Sequence, residues 1–398
     1  MRLAIISDVF PPLRSSGAVQ LRDLSLEFTK QGHQVVVLVA TSDLDTPYRV
    51  ESWNGARIVR LKSVRTKDTG YVRRTIGEFL MPFAMLHNLR KSPLGAEIWD
   101  GVIWYSPTIF LGPIVNTLKK SSGCRSYLIL RDIFPEWAVD MGLMRRGPPY
   151  WFFKAVANYQ YAVADVIGIQ TPGNQVYFAD WIKRAGRRLE VLQNWLADGP
   201  ATACSISVKD TSLSGRKIFV YAGNMGVAQG ARILIDLAEH LKHRTDIGFL
   251  FIGRGSDSQH MRSDSVYRGL NNVAFFDEID PDEIPALYSQ CHVGLVALDP
   301  RHKTHNIPGK FLSYMQSGLP VLASINPGND LVKLVAEEKV GRACTDSSVD
   351  SLATHALALA EALDLDTGYA SRCKCLSYKM FSPTTAVNQI VKALNRAG

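Results

Sequence analysis

Glycine-rich turns, one of them with a lysine beside it, mark the second half of the chain. Gly223-Asn224 directly follows the apolar run 219–222, and Gly253-Arg254 follows the run 249–252. A third turn, Pro308-Gly309-Lys310, opens a segment with helical spacing. Glycine lets the backbone approach a ligand closely, and a helix N-terminus presents free N–H groups to anions. Three such turns predict a pocket for a phosphorylated ligand.

Lys310 is the residue of these turns with the clearest chemical role. An ammonium group beside a glycine turn, at the positive end of a helix dipole, attracts a phosphate. The alternative is an ordinary helix start with a surface lysine. We favour the functional interpretation because the glycine, the lysine and the helix dipole converge at one turn.

The elements that must position these turns form two similar halves. In each half, continuous apolar runs alternate with helical patterns, which indicates parallel sheets covered on both faces. The predicted strands of the first half are 3–6, 35–40, 57–61, 101–104, 126–130 and 166–169. Those of the second half are 217–221, 248–252, 273–275, 293–297, 321–323 and 340–343.

A length of 398 residues suits two domains. We expect an α/β protein with two Rossmann-like, doubly wound domains that face each other across a cleft. Residues 1–194 form the N-terminal domain, the polar segment 195–215 the linker, and 216–381 the C-terminal domain. We expect the last residues, 382–398, to form a helix that packs back on the N-terminal domain.

Composition favours a soluble cytoplasmic protein with reduced cysteines. No apolar run reaches the ~18 residues of a spanning helix, and the six cysteines show no zinc spacing. Residues 1–198 hold 25 Lys and Arg against 17 Asp and Glu, so the first half carries the whole net charge of +8. Basic and aromatic residues alternate in 71–91 and 145–154. These segments predict docking on an anionic membrane; the alternative is a domain core with solvated arginines.

Five motifs of the chain are informative together: Ser7–Gly17, Gln31–Val37, Asn194-Trp195, Tyr221–Gly226 and Pro308–Val321. Each motif is weak alone, but their order and spacing are specific. On these motifs the chain resembles retaining glycosyltransferases of family 4, which have the GT-B fold, and within them the bacterial O-antigen and capsule enzymes similar to N-acetyl-L-fucosamine transferases. The resemblance covers nearly the whole chain.

This resemblance implies a UDP-sugar donor held by the second domain and no cofactor. Lys310 would stabilise the leaving diphosphate. The residues that would bind substrate in the second half are Gly223, Asn224, Gln229, Gly253, Arg254, Glu278, Ile279, Pro308, Gly309 and Ser313. Glu278 and Ile279, with the turn at Gly253, would line the base pocket; a solvated helix start is the equal alternative for Glu278. We expect no metal ion, because no D-x-D sits at the relevant strand end.

In the first half, the resemblance places Gly17 against the donor phosphate and Asn194 in the substrate site; a flexible turn is the alternative for Gly17. Arg131, Asp132 and Glu136 follow the strand 126–130, where side chains face the ligand site. Asp132 and Glu136 are candidates for orienting the acceptor hydroxyl, and Arg131 for holding a phosphate. A structural ion pair of Arg131 with a carboxylate is the alternative.

The chain departs from the family pattern at several binding positions. The usual two glutamates, eight positions apart, are replaced by His305 and Ser313, and the usual arginine and lysine by Asn224 and Gln229. The expected acceptor is a polyprenyl-diphosphate-linked saccharide at the inner membrane, with no nucleic acid involved. Alternatives are a nucleotide-sugar epimerase of the same fold and a non-catalytic nucleotide-sugar binder. A dehydrogenase is disfavoured because Ser258 replaces the third glycine of the dinucleotide motif.

Overall fold

A computed structural model describes residues 1–13, 15–66, 69–199, 202–226, 229–301, 303 and 307–395. The chain forms two compact units. The first contains Met1–Leu196 and Pro383–Gly398, and the second contains Ala197–Ser382. Each unit is an α/β domain with its own sheet and its own hydrophobic core.

The first unit is built on an eight-stranded sheet in the order β3-β4-β2-β1-β5-β6-β7-β8. Its strands are β1 (Arg2–Ser7), β2 (Gln34–Thr41), β3 (Tyr48–Trp53), β4 (Ala56–Lys62), β5 (Gly101–Tyr105), β6 (Arg125–Ile129), β7 (Val166–Ile169) and β8 (Arg188–Val191). All neighbours are parallel except β3, which pairs antiparallel with β4. Its helices are α1 (Ser16–Lys30), α2 (Tyr71–Arg90), α3 (Gly112–Ser122), α4 (Glu136–Asp140), α5 (Pro148–Val163) and, from the C-terminus of the chain, α13 (Pro383–Asn395).

The second unit is built on a parallel sheet in the order β11-β10-β9-β12-β13-β14. Its strands are β9 (Lys217–Ala222), β10 (Ile247–Ile252), β11 (Val273–Phe276), β12 (Val293–Ala297), β13 (Val321–Ser324) and β14 (Gly341–Cys344). Its helices are α6 (Ile233–His240), α7 (Ser258–Tyr267), α8 (Ile284–Tyr288), α9 (Gly309–Ser317), α10 (Asp330–Glu337), α11 (Val349–Leu365) and α12 (Tyr369–Phe381).

The predicted fold class is confirmed, and all twelve predicted strands are present with ends within one residue. The sequence did not predict β3 and β8. Both lie at the edges of the first sheet, and neither contains the continuous apolar run of a strand buried on both faces. Burial at an edge is one-sided or partial, so the pattern is weak.

The linker predicted over 195–215 differs from the structure, because its residues pack into both units. Trp195 is fully buried in the first core, and its indole N–H donates to the carbonyl of Gln20 at 2.7 Å. Ile206, Val208 and Leu213 are buried in the second unit. The sequence did not indicate this packing, because the apolar residues are scattered among serines. The boundary between the two units lies between Leu196 and Ala197.

The C-terminal helix α13 belongs to the first unit. Val387, Ile390 and Leu394 lie in the same apolar cluster as β1 and helix α1. A side chain at Gly101 of β5 would collide with Leu394, so the helix lies directly against the sheet. The first unit is therefore completed only when the last residues of the chain are in place.

Candidate functional site

The glycine turns that follow β9 and β10 lie directly against each other. The N–H of Gly223 donates to the carbonyl of Ile252 at 2.9 Å, and the N–H of Met225 donates to that of Arg254 at 2.8 Å. Gly253 has φ of +134°, and a Cβ there would lie 2.2 Å from the carbonyl oxygen of Gly223. No other residue type fits this approach, so the two turns form one main-chain platform at the carboxyl edge of the sheet.

Helix α9 begins beside this platform without a side-chain cap. Its first flanking residue, Pro308, is extended and supplies no side-chain cap to the N–H groups that open the helix. Tyr314 fastens the helix to the sheet: its hydroxyl lies 2.9 Å from the carbonyl oxygen of Val220 and 3.2 Å from that of Leu295. The ring covers Gly294, where a Cβ would lie 2.4 Å from it. The helix start is thus held rigidly next to β9 and β12.

Lys310 projects from this helix start into the platform. Its Nζ atom is buried and has no hydrogen-bond partner among the described residues, although the residue as a whole is half-buried. Burial lowers the pKa of Lys310 to about 7. The atom nearest to a Cβ at Gly223 would be Cε of Lys310, at 3.8 Å. A buried ammonium group without a partner is costly, and an anion bound at the turn would relieve that cost.

Tyr221 supports both Lys310 and the turn, and the sequence did not single it out. Its ring centroid lies 3.3 Å from Nζ of Lys310, and its hydroxyl donates to the carbonyl of Asn224 at 2.8 Å. The aromatic face attracts the ammonium group. The signal available in the sequence was an aromatic residue two positions before a glycine turn, which is also an ordinary core pattern.

The other predicted donor-site residues lie around the same edge. Arg254 and Glu278 form an exposed ion pair at 3.0 Å after β10 and β11, beside the half-buried Ile279. Gln229 is half-buried, and its N–H donates to the carbonyl of Gly226 at 2.9 Å. The hydroxyl of Ser313 makes only a long bond, 3.4 Å, to the carbonyl of Gly309 in its own helix.

In the first unit, Gly17 and Tyr105 form a second close contact at a sheet edge. A Cβ at Gly17 would lie 3.0 Å from the Tyr105 ring. The Tyr105 hydroxyl donates to Oε1 of Gln20 at 2.7 Å, and burial raises the pKa of Tyr105 to about 12, against the opposing charge of Arg131. A side chain larger than glycine at position 17 must displace this tyrosine.

Arg131 has a structural role that differs from the predicted phosphate contact. The guanidinium group is buried, donates to the carbonyl of Leu192 at 2.8 Å and to that of Gln193 at 3.4 Å, and lies 4.8 Å over the Trp195 ring. Burial lowers its pKa. These contacts occupy two of the three nitrogens and hold the segment that follows β8.

The two predicted carboxylates have different surroundings. Burial raises the pKa of Asp132, and the charge of Arg131 opposes that rise. Glu136 begins the short helix α4 and forms an ion pair with Lys154 of α5, while its Oε2 atom is buried without a partner among the described residues. This pairing gives Glu136 a structural contact, and its role in orienting the acceptor hydroxyl stays a prediction. Asn194 is buried, and its Oδ1 accepts a bond from Gln170 at 3.3 Å.

One position noted in the sequence, His305, lies outside the described residues. In the part of the chain that the structure describes, no group of three or more His, Cys, Asp or Glu side chains could hold a metal ion. Independence of a metal ion stays a prediction.

Comparison with known proteins relates the second unit to a family. Residues 216–362 match the family described as "Glycosyl transferases group 1". WcaI of Escherichia coli (strain K12), whose name assigns it to colanic acid biosynthesis as a glycosyl transferase, is 24% identical over 343 residues. The match covers 79% of this chain and 78% of WcaI.

Solved structures extend the similarity to the whole chain. Sucrose-phosphate synthase from Thermosynechococcus elongatus has a TM-score of 0.71 at 14% identity, with 98% of this chain and 97% of that chain covered. HepE from Anabaena, solved in complex with UDP and glucose, has a TM-score of 0.66 at 15% identity, with complete coverage of both chains. At these identities the likeness establishes the fold, which is that of the GT-B glycosyltransferases.

Proposed function

We propose that this chain, with its group 1 glycosyltransferase domain, is a retaining glycosyltransferase of bacterial surface polysaccharide synthesis. It moves an N-acetylated deoxy sugar from a UDP-sugar to a lipid-diphosphate-linked saccharide, without a metal ion, at the cytoplasmic face of the inner membrane. The name of WcaI supports the polysaccharide context, and the UDP complex of HepE supports the donor class. The subgroup resemblance in the Gly223–Gly230 segment supports the deoxy sugar.

The observation that carries this proposal is the buried ammonium group of Lys310, which has no hydrogen-bond partner among the described residues. It lies beside the Gly223 turn and at the uncapped start of α9. A diphosphate bound there supplies the missing counter-charge. Binding then favours the protonated form of Lys310, whose pKa burial otherwise lowers to about 7.

The same arrangement suits the chemical step. When the bond between sugar and diphosphate breaks, negative charge grows on the leaving nucleotide. Lys310 and the free N–H groups at the start of α9 are preorganised to stabilise that charge. A retaining reaction on one face of the sugar needs no nucleophile from the protein, and none is assigned.

Neutral side chains stand where the family pattern has charged ones. Ser313 and Asn224 offer a hydroxyl and an amide, which bind more weakly than ionised groups. We therefore assign most of the donor affinity to Lys310 and to main-chain N–H groups. Gln229, Arg254, Glu278 and Ile279 take the outer positions of the donor site.

Asp132 is the better candidate of the two first-unit carboxylates for orienting the acceptor hydroxyl. Its raised pKa reflects burial without full compensation by Arg131, whereas Glu136 is already paired with Lys154. Gly17, in the first turn of α1, lies close against Tyr105, and its contact with the donor phosphate is part of the proposal.

A single incubation separates this function from its competitors. The purified protein is mixed with UDP-sugars and a bacterial lipid extract, and lipid-bound sugar and free UDP are both quantified. Transfer of sugar to lipid with equimolar UDP release is the expected result. An altered sugar without net UDP release identifies an epimerase, and binding without turnover identifies a non-catalytic binder; either outcome contradicts the proposal.

A further inference from the structure

Helix α2 is apolar on two opposite faces. One face packs into the first core through Gly77, Met81, Met85 and Leu89. The other face carries side chains spaced three or four residues apart, which places them in one stripe on a helix. This apolar stripe consists of Val72, Ile76, Phe79, Leu80 and Phe83, all of them exposed. A helix of a water-soluble domain normally presents polar residues on that side.

The five side chains of the stripe are all strongly exposed. Val72 is 75% exposed and Phe83 49%, and the rings of Phe79 and Phe83 lie 6.0 Å apart with no other ring against them among the described residues. Sixteen of the twenty large apolar side chains that are exposed in the described residues belong to the first unit. Contiguous exposed apolar surface of this kind marks an interaction site.

Basic residues frame the stripe at both ends. Arg73 lies at its start, and Arg90 and Lys91 lie at its end, all exposed. The single acidic residue of α2, Glu78, is already paired with Arg74 at 2.8 Å. The net charge of this surface is therefore positive, which complements an anionic partner.

Helix α5 repeats the combination on the same side of the sheet. Trp151 is 62% exposed and Phe152 42%, and the exposed Arg145 and Arg146 precede the helix. The helix contains no acidic residue. Helices α2 and α5 both pack against α3, within one apolar cluster on one face of the sheet. Their exposed residues thus belong to one side of the first unit.

This side adjoins the carboxyl edge of the first sheet. The pKa of Arg74, in the first turn of α2, is raised mainly by its hydrogen bond to Glu78 and to a smaller extent by the charge of Asp8, which follows β1. Lys154, in the second turn of α5, pairs with Glu136, which follows β6. Both helices therefore begin at the edge that carries Gly17 and Asp132.

We propose that the exposed faces of α2 and α5 dock on an anionic lipid bilayer. Aromatic and aliphatic side chains enter the interface, and the flanking arginines and Lys91 contact phosphate headgroups. Among the described residues no helix is long and apolar enough to cross a membrane, so the contact is peripheral. A second copy of the chain fits less well, because pairing this face with itself would bring like charges together. The purpose of docking, access to a lipid-linked acceptor, rests on the proposed function; the contact itself does not.

The test is co-sedimentation with vesicles of equal parts phosphatidylglycerol and phosphatidylethanolamine at low salt. We expect the unaltered protein to sediment with these vesicles and to remain in solution with phosphatidylcholine vesicles. Combined Arg73→Glu, Arg90→Glu and Lys91→Glu changes should weaken partition by about 100-fold or more, since each charge near the surface contributes roughly fivefold. Phe79→Ser with Phe83→Ser should also release the protein, because the apolar contact is lost.

Matched controls lie on the second unit. Lys209→Glu, Lys242→Glu and Lys333→Glu remove the same charge from exposed positions, and Val266→Ser with Tyr267→Ser remove exposed apolar side chains. These controls should sediment like the unaltered protein. Sedimentation equilibrium without vesicles is run in parallel on all variants.

The outcomes are distinct. Unaltered protein that stays in solution, or control variants that lose binding as the α2 variants do, would overturn the proposal. A dimer that Phe79→Ser with Phe83→Ser dissociates would also overturn it, in favour of a second copy. UDP binding, measured on the same samples, reports the proposed function separately. If UDP does not bind but the protein still sediments with vesicles, the proposed transferase function is contradicted and the docking surface is not.

Discussion

The chemistry proposed here depends on how one lysine is surrounded. Lys310 has an aromatic ring beneath its ammonium group, a glycine turn beside it and no anionic side chain bonded to it among the described residues. The ring offers weak attraction but no neutralisation, so the site keeps its affinity for an anion. A carboxylate in the place of Tyr221 would compete with the diphosphate.

Replacing Lys310 should therefore affect turnover strongly. Lys310→Ala is expected to lower kcat/KM by about 10²-fold or more, as for removal of one preorganised charge stabiliser. Lys310→Arg should retain part of the activity because it keeps the charge. Lys333→Ala, an exposed lysine of α10, is the matched control. Steady-state kinetics with the UDP-sugar decide the point, and unchanged kinetics in Lys310→Ala would remove the residue from the site.

Two substitutions of Tyr221 separate the contribution of its ring to UDP affinity from that of its hydroxyl. Tyr221→Phe keeps the ring under Lys310 but frees the carbonyl of Asn224, and we expect UDP affinity to fall by about fivefold, the usual effect of one hydrogen bond. Tyr221→Leu also removes the ring and should weaken UDP further. Isothermal titration of both variants tests this; equal affinities in Tyr221→Leu and the unaltered protein would contradict the supporting role.

At the scale of elements, the proposed donor site consists of two strand ends and one helix start, which close packing at glycines brings into contact. Gly253 and Gly255 let the β10 turn lie against the β9 turn, and Gly294 lets Tyr314 pass over β12. A helix start held by buried hydrogen bonds positions its N–H groups more accurately than a loop does. The precision of the site is thus a property of backbone packing.

Gly253→Ala tests this packing. Its Cβ would collide with the carbonyl oxygen of Gly223 at a φ of +134°, so we expect a loss of unfolding free energy of about 2 kcal/mol and a matching loss of UDP affinity. Gly199→Ala is the control, because a Cβ there meets nothing within 4 Å. Denaturant unfolding followed by circular dichroism provides the measurement. Equal stability of the two variants would show that the turns separate easily.

The elements that could be predicted are those whose pattern is contained in a short stretch of sequence. Central strands such as β1 and β9 are continuous apolar runs because helices cover both faces, and the turn at Lys310 shows its glycine and its helix start. A structural role was the alternative for Arg131 in the sequence, but its partners Leu192 and Trp195 were not predictable, because they lie more than 60 positions away and are brought to it only by the fold. The role of Tyr221 was not predictable for the same reason, because its ring contacts Lys310, which lies 89 positions later in the sequence.

On the scale of the whole molecule, the chain returns to its first unit at its end. Helix α13 contributes Val387, Ile390 and Leu394 to the first core, after the second unit is complete. The first unit also contains all seven tryptophans and, among the described residues, most of the exposed large apolar side chains. The two units can therefore be followed by different probes.

Ile390→Ala should destabilise the first unit selectively. The side chain is fully buried, and a cavity of this kind costs about 3 kcal/mol. Tryptophan fluorescence during urea unfolding reports the first unit alone, while UDP binding reports the second. Lys392→Ala, exposed on the same helix, is the control. If both variants unfold at the same urea concentration, α13 does not stabilise the first unit.

The central claim is that the ammonium group of Lys310 receives the diphosphate of a nucleotide. Calorimetric titration of UDP at pH 8, in two buffers with different heats of ionisation, tests it most directly. Because the pKa of Lys310 is about 7 in the empty protein, the group is mostly neutral at pH 8 and must take up a proton when phosphate raises that pKa. We expect uptake of about one proton per UDP in the unaltered protein and none in Lys310→Met. Equal affinity and no proton uptake in both proteins would contradict it.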